Sequence, residues 1–233
     1  GRVGRGRRVA GRIAAVTRRP GGIVEVTCEL GRQWPGHRAG QFAFVTFDRS
    51  EGAHPFTIAS APGDAPGRVT FQIKALGDYT GRLADTLAAG QTVAVEGPYG
   101  RFERPGSADA QPQVWVAGGI GITPFLAWLE DRQAAGADSA PVWLHYCVRD
   151  AATDPFVDTL KQRCAALGNV TLLVHDAGHR LTADDLAQGA VADGRATDVW
   201  FCGPAGLSAA LRDGLRRLGR GGVRWHQEAF DMR

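Results

Sequence analysis

The chain has 233 residues, 44% of them hydrophobic and 22% charged, with a net charge of +3. That length holds one large domain or two modest ones, the composition excludes a disordered or fibrous chain, and the charge is too small to argue for a nucleic-acid partner. No window of ~18 uninterrupted apolar residues offers a membrane span.

Residues 1–10 form a basic arm that opens Gly1-Arg2-Val3-Gly4-Arg5-Gly6-Arg7-Arg8 and lacks the apolar core of a signal peptide. It reads either as a disordered arm or as a basic segment on the cytoplasmic side of a membrane span. Over residues 11–103 short β-rich stretches at 9–16, 23–30, 41–47, 55–60, 69–74 and 92–96 are separated by turn clusters such as Arg19-Pro20-Gly21-Gly22 and Pro62-Gly63-Asp64. Six short strands in a row predict a small antiparallel barrel. A helical insert at 80–87 interrupts them before Gly90.

Residues 104–112 have a linker's composition, and from residue 113 to 233 the rhythm changes. Strands at 114–117, 142–148, 170–174, 199–202 and 223–226 alternate with helices at 124–135, 155–167, 182–187 and 204–218. Such alternation predicts a five-stranded parallel sheet with helices on both faces. Thr123 reads as the N-cap of the first of these helices, with Pro124 at its first position and Gly136 past its end.

Certain segments carry chemistry. His54-Pro55-Phe56-Thr57 lies on a barrel strand that continues Ile58-Ala59-Ser60. A ring beside a hydroxyl residue suits a flavin, Phe56 lying on the isoalloxazine and Thr57 bonding its N5 edge. Equally, Phe56 suits an ordinary cross-strand aromatic. Gly77-Asp78-Tyr79-Thr80-Gly81 precedes the insert helix, whose first N–H groups suit a pyrophosphate, with Thr80 as cap or ligand. Gly118-Gly119-Ile120-Gly121-Ile122-Thr123-Pro124 joins a strand to a helix, as a phosphate loop or simply a tight corner. Arg149 follows the second parallel strand, where a guanidinium can clamp a 2′-phosphate or pair with Asp150. Cys202-Gly203-Pro204 ends the fourth, at the sheet edge where ligands bind, although a free Cys is also a common small core residue. The four cysteines, Cys28, Cys147, Cys164 and Cys202, form no C-x-x-C pair. That predicts reduced thiols and no metal or iron–sulfur site.

Taken in order, these segments resemble the ferredoxin–NADP reductase superfamily. His54 to Ser60 is similar to its R-x-Y-[ST] flavin signature, Gly118 to Pro124 to its G-G-x-G-x-[ST]-P loop, and Cys202 to Pro204 to its C-G-P motif. Gly97-Pro98-Tyr99-Gly100 resembles the turn that closes the flavin domain. His-Pro-Phe-Thr, the stretch around Arg149 and a terminal Glu228-Ala229-Phe230 look most like the NADPH oxidase and ferric reductase branch. The resemblance implies FAD and NADPH as cofactors, hydride passing from NADPH to FAD, and single electrons passing on. The implied acceptor is the haem of a transmembrane domain N-terminal to residue 1, which would put the chain on the cytoplasmic side of a membrane. A free-standing flavin or ferredoxin reductase and a non-catalytic FAD-holding subunit are the alternatives. Thr57, Cys202, Glu228 and Phe230 are the implied catalytic set. His54, Pro55, Phe56, Thr57, Lys74, Tyr79, Thr80, Gly81, Gly118, Gly119, Gly121, Thr123, Pro124, Arg149, Cys202, Gly203, Pro204 and Phe230 are the implied cofactor contacts. His54 stands where many relatives carry Arg to the flavin phosphate, and serves either that contact or a turn. Phe230 is a ring that covers the flavin or a staple that pins the last strand.

Overall fold

The computed structural model describes residues 8–63, 67–75, 78–104, 111–136, 140–188, 198–220 and 222–228. It divides into two units, Gly1–Arg104 with Leu126–Asp131, and Pro105–Phe125 with Arg132–Arg233.

The first unit contains β1 (Arg8–Arg19), β2 (Ile23–Glu29), β3 (Phe42–Thr46), β4 (His54–Thr57), β5 (Arg68–Lys74) and β6 (Thr92–Tyr99). They form one antiparallel sheet in the order β4-β3-β6-β1-β2-β5. Its edges meet beyond β4, where Ile58 bridges Phe71 and the Ala59 N–H donates to Thr70 O at 2.7 Å. That closure removes the open edges a six-stranded sheet would otherwise present. Alternation along the strands sends Val26, Ala43, Val45, Ile58, Val69, Phe71 and Val95 inward, each fully buried. Each of the larger side chains contributes roughly 1.5–3 kcal/mol by leaving water. One long strand serves two neighbours, as β1 pairs with β6 through Arg12 and with β2 from Arg12 onward. A register break between Ile13 and Ala15 accompanies the turn of the corner. Helix α1 (Asp78–Thr86) follows β5, and Leu83 and Leu87 join the barrel core.

Two expectations are corrected here. The strand expected to run to residue 60 ends at Thr57, because Ile58 leaves β3 to close the barrel onto β5. Gly97-Pro98-Tyr99 does not form a turn but completes β6, with Tyr99 opposite Phe42.

Beyond the barrel the chain runs β7 (Gln113–Gly118), a 3-10 turn (Gly119–Ile122), α2 (Thr123–Ala135), β8 (Val142–Cys147), α3 (Val157–Leu167), β9 (Val170–His175), α4 (Ala183–Gln188), β10 (Asp198–Cys202), α5 (Ala205–Arg217) and β11 (Arg224–Gln227), all in the second unit except Leu126–Asp131 of α2, which belong to the first. The strands are parallel in the order β11-β10-β7-β8-β9. Val114 and Val116 pack with Leu186 of α4 and with Leu211 and Leu215 of α5. Trp115, pointing the other way, stacks on Phe125 of α2 at 5.6 Å. Helices therefore cover both faces. No helix among the described residues is long and apolar enough to cross a membrane.

Candidate functional site

The strand order reverses at β7, which lies between β8 and β10. The turns leaving β7 and β10 lie at the carboxyl ends of these strands, the edge where open α/β sheets bind ligands. Two segments far apart in sequence meet there. A Cβ on Gly118 would stand 2.6 Å from Pro204 Cδ, and one on Gly121 only 2.2 Å from Cys202 O. A Cβ on Gly203 would stand 3.0 Å from Gly118 N. These glycines let two backbones touch, a requirement that exists before any ligand arrives. Gly119 turns the chain with φ +52°, a left-handed conformation that favours glycine.

Helix α2 begins one residue earlier than the sequence suggests. Thr123 is its first residue rather than its cap, because the 3-10 turn feeds directly into the helix. The Thr123 hydroxyl donates backward to Ile120 O at 2.7 Å. The capping position, Ile122, has no side-chain acceptor for the first-turn N–H groups, and Pro124 falls in that turn. The Thr123 N–H donates to Ile120 O, so the helical run begins with the Gly119–Ile122 turn, and it is that N-terminus that carries the partial positive charge that attracts anions.

Cys202 is 4% exposed. Burial first, and then the charge of nearby Glu228, push its thiol up to about 12, so it is protonated at neutral pH. Glu228 follows β11, donates its N–H to Phe201 O at 3.3 Å, and has its own carboxyl raised by burial. Arg149 stands exposed two residues beyond β8. Asp150 is engaged elsewhere, accepting from the Ala152 N–H at 3.0 Å and the Thr153 hydroxyl at 2.9 Å. The local Arg–Asp pair considered from the sequence is therefore absent among the described residues.

In the first unit the predicted flavin strand is β4. His54 Nε2 lies 3.2 Å from Glu51 O, Pro55 is exposed, and Thr57 is half-buried opposite Phe42. Phe56 is half-buried against the core, its ring centroid 6.1 Å from Phe47 and 6.4 Å from Phe71. The segment after β4 is held at three points. Ser60 Oγ accepts from the Thr70 N–H at 3.1 Å, Ser60 O meets His37 Nε2 at 2.9 Å, and the Ala61 N–H donates to Glu130 Oε2 at 2.9 Å. Lys74 closes β5 opposite Ile23. Thr80 and Gly81 are half-buried in α1, and nothing lies within 4 Å of a Cβ built on Gly81. Gly77, Phe230 and the side chain of Tyr79 lie outside the described residues.

A cavity of about 560 Å³ in the same unit is lined by Val9, Gln33, Pro35, Arg38, Gln41 and Glu103, among others, and by none of the predicted residues. Its two charges, Arg38 and Glu103, pair with each other at 2.6 Å. Sequence reasoning also passed over the supports His37 and Glu130, and a stack of imidazoles in the second unit. His145 and His175 approach within 2.9 Å through Nδ1 and Nε2, with His179 stacked beyond His175. Of these only His145 lies in a segment with a family resemblance, the stretch from His145 to Asp150, and only folding brings the rings together.

Residues 8–103 match the FAD-binding domain family. The chain is 31% identical over 178 residues to the phthalate 4,5-dioxygenase oxygenase reductase subunit of Pseudomonas putida, covering 74% of this chain and 52% of that protein. It is 41% identical over 108 residues to ferric reduction oxidase 7 of Arabidopsis thaliana, covering 38% of this chain and 14% of that one. Among solved structures, the cytochrome P450 reductase GcoB of Amycolatopsis superimposes with a TM-score of 0.79 at 25% identity, over 96% of this chain and 70% of that one. The chain spans about half the length of the first curated relative it matches.

Proposed function

We propose that this chain, whose residues 8–103 are an FAD-binding domain of the ferredoxin–NADP reductase superfamily, is the dehydrogenase part of an NADPH-dependent electron-transfer system. The observation that carries the reading is the contact between the Gly118–Gly121 turn and Cys202-Gly203-Pro204 at the sheet's switch point. The helical N-terminus at the Gly119–Ile122 turn fits a dinucleotide phosphate there, and the open space around Gly81 at α1 fits a second phosphate group. FAD, when bound, supplies the chemistry that converts a two-electron donor into a source of single electrons.

The chain's own residues bind and orient. Pro55, Phe56 and Thr57 would hold the flavin ring, the Thr57 hydroxyl serving as a hydrogen-bond partner for its N5 edge. Lys74, Tyr79, Thr80 and Gly81 take the flavin phosphates, joined by His54. Gly118, Gly119, Gly121, Thr123 and Pro124 receive the NADPH pyrophosphate. Arg149, exposed and not paired with the neighbouring Asp150, would take the 2′-phosphate. Cys202, Gly203 and Pro204 would position the nicotinamide through a protonated thiol, with Glu228, its carboxyl raised by burial, close to Cys202. Phe230, which lies outside the described residues, would cover the flavin and give way to nicotinamide.

The acceptor is a one-electron partner in another domain or protein. The likeness to ferric reduction oxidase 7 and the His-Pro-Phe-Thr form support a haem in a membrane domain preceding residue 1. The longer match to an oxygenase reductase subunit supports a second reading, a reductase component of an oxygenase. Apolar spans carrying paired histidines upstream in the parent reading frame would decide for the first. The shared core is tested by anaerobic rapid mixing of the FAD-loaded chain with NADPH and with NADH. Rapid bleaching of the flavin, faster with NADPH, is expected. An unbleached flavin would leave a chain that only holds FAD.

A further inference from the structure

We propose that His175, His179 and Asp185 form a binding site for a divalent first-row transition metal of the zinc class, where β9 runs into α4. Each residue offers one ring nitrogen or carboxylate oxygen, and the three atoms lie within 4.8 Å of one another. Two of them already stand at ligand spacing. His179 Nε2 is 3.3 Å from Asp185 Oδ1, and tetrahedral zinc with bonds of ~2.0–2.1 Å separates its ligands by about 3.3–3.4 Å. A strong charge-assisted hydrogen bond between the same atoms would be shorter, at about 2.7–2.9 Å.

The rest of the cluster is built to leave these atoms available. Asp185 Oδ2 accepts from both the N–H and the hydroxyl of Thr182, each at 2.7 Å, in a box that starts α4. That fixes the carboxylate and leaves Oδ1 toward His179. Asp176 accepts from the Gly178 N–H at 2.9 Å, a tight turn that returns the chain and sets the His179 ring 5.6 Å from that of His175. His175 is 4% exposed, and its Nδ1 is buried with no hydrogen-bond partner. The His179 backbone lies close but does not meet hydrogen-bond geometry. A buried polar atom without a partner is rare and asks for a ligand. With Nδ1 on the metal, His175 Nε2–H donates to His145 Nδ1 at 2.9 Å, the outer contact that orients a ligating imidazole.

Two imidazoles and one carboxylate suit zinc and its neighbours rather than calcium or magnesium, which take oxygen ligands. Three protein ligands leave at least one position open, and the exposed His179 ring provides the entry path. The site clips the β9–α4 connection and is independent of the flavin chemistry.

The test is calorimetric titration of zinc chloride into the tag-free, FAD-loaded full chain after chelator treatment, repeated with cobalt(II) read by its visible absorption. One ion per chain in the micromolar range, a tetrahedral cobalt spectrum and a zinc-dependent rise in melting temperature are expected. His179→Ala, whose side chain is largely exposed, should weaken binding by about 100-fold. Asp185→Asn, which preserves the helix cap, should weaken it by at least about tenfold. Both should melt like the parent in chelator. No saturable binding, calcium binding as well as zinc, or zinc affinity in the two variants equal to the parent's would overturn the site. So would loss of binding in Cys147→Ser with His179→Ala unaffected, because the ligands would then be thiols.

Discussion

The turn pair of the second unit and the β4 strand of the first hold their motifs by opposite means. Gly121 places backbone against backbone where nothing larger fits, Gly118 lies against the Pro204 ring, and Gly203 is tight against the Gly118 backbone. Around β4 the motif residues sit on regular strand, and the chain beyond them is steadied by His37, Thr70 and Glu130. The glycine signature is thus part of the fold itself, whereas the strand signature can be altered with the barrel intact. Substitutions on the β4 strand should report on chemistry, and those in the glycine turn pair on folding before chemistry.

The largest expected effect tests that division. Gly121→Ala drives a methyl into Cys202 O and should destabilise the second unit by about 2–4 kcal/mol. Calorimetry should show one transition lowered and the other kept. A parent-like melting profile would mean the two turns are not locked together.

Arg149→Ala should cost about 1.5–3 kcal/mol of NADPH binding, a roughly 10- to 150-fold rise in KM, with NADH kinetics nearly unchanged. An equal loss for both coenzymes would make Arg149 structural. Thr57→Ala removes one hydrogen bond on a strand that packing already holds. Flavin reduction should slow by about two- to tenfold with the melting temperature unchanged. A lowered melting temperature instead would erase the contrast drawn here. Gly81→Ala, in open space on α1, should stabilise the barrel by about 0.5–1 kcal/mol while weakening FAD binding. Unchanged FAD affinity would remove α1 from the flavin site.

The smallest effect is a pH dependence in the first unit. Trp34 Nε1 donates to His37 Nδ1 at 3.4 Å, so Nε2–H is left to donate to Ser60 O. That arrangement requires a neutral ring, and burial lowers the His37 pKa below 6.5, against smaller opposing contributions from Ser60 and Glu130. With the folded pKa below the unfolded one, the stabilisation is complete above pH 6.5 and is lost as pH falls below it. Melting of the first unit against pH should slope downward there, and His37→Gln should flatten the slope. The same slope in both proteins would assign it to other groups.

The alternating strands, the later βα rhythm and the glycine punctuation carried both sheets openly, because period and turn chemistry are local properties. What stayed hidden was decided by distant partners. Ile58 belongs to the apolar run of β4, yet it leaves that strand to meet Phe71. Gly97-Pro98-Tyr99 reads as a turn and is strand, because Phe42 waits opposite. Thr123 reads as a cap and is helix, because the 3-10 turn before it already bends the chain. The imidazole stack has no periodicity at all. His145 and His175 become neighbours only through the parallel pairing of β8 with β9.

The buried thiol of Cys202 has a consequence for how the protein ages. Flavoproteins work beside oxygen, and peroxide attacks thiolates far faster than thiols. With its pKa pushed up to about 12, only roughly one Cys202 in 100,000 is ionised at pH 7. The half-buried Cys147 is raised to about 12 as well. The burial that denies Cys202 any role as a nucleophile also makes it durable, so activity should outlast exposure to peroxide that would inactivate an enzyme with a reactive cysteine.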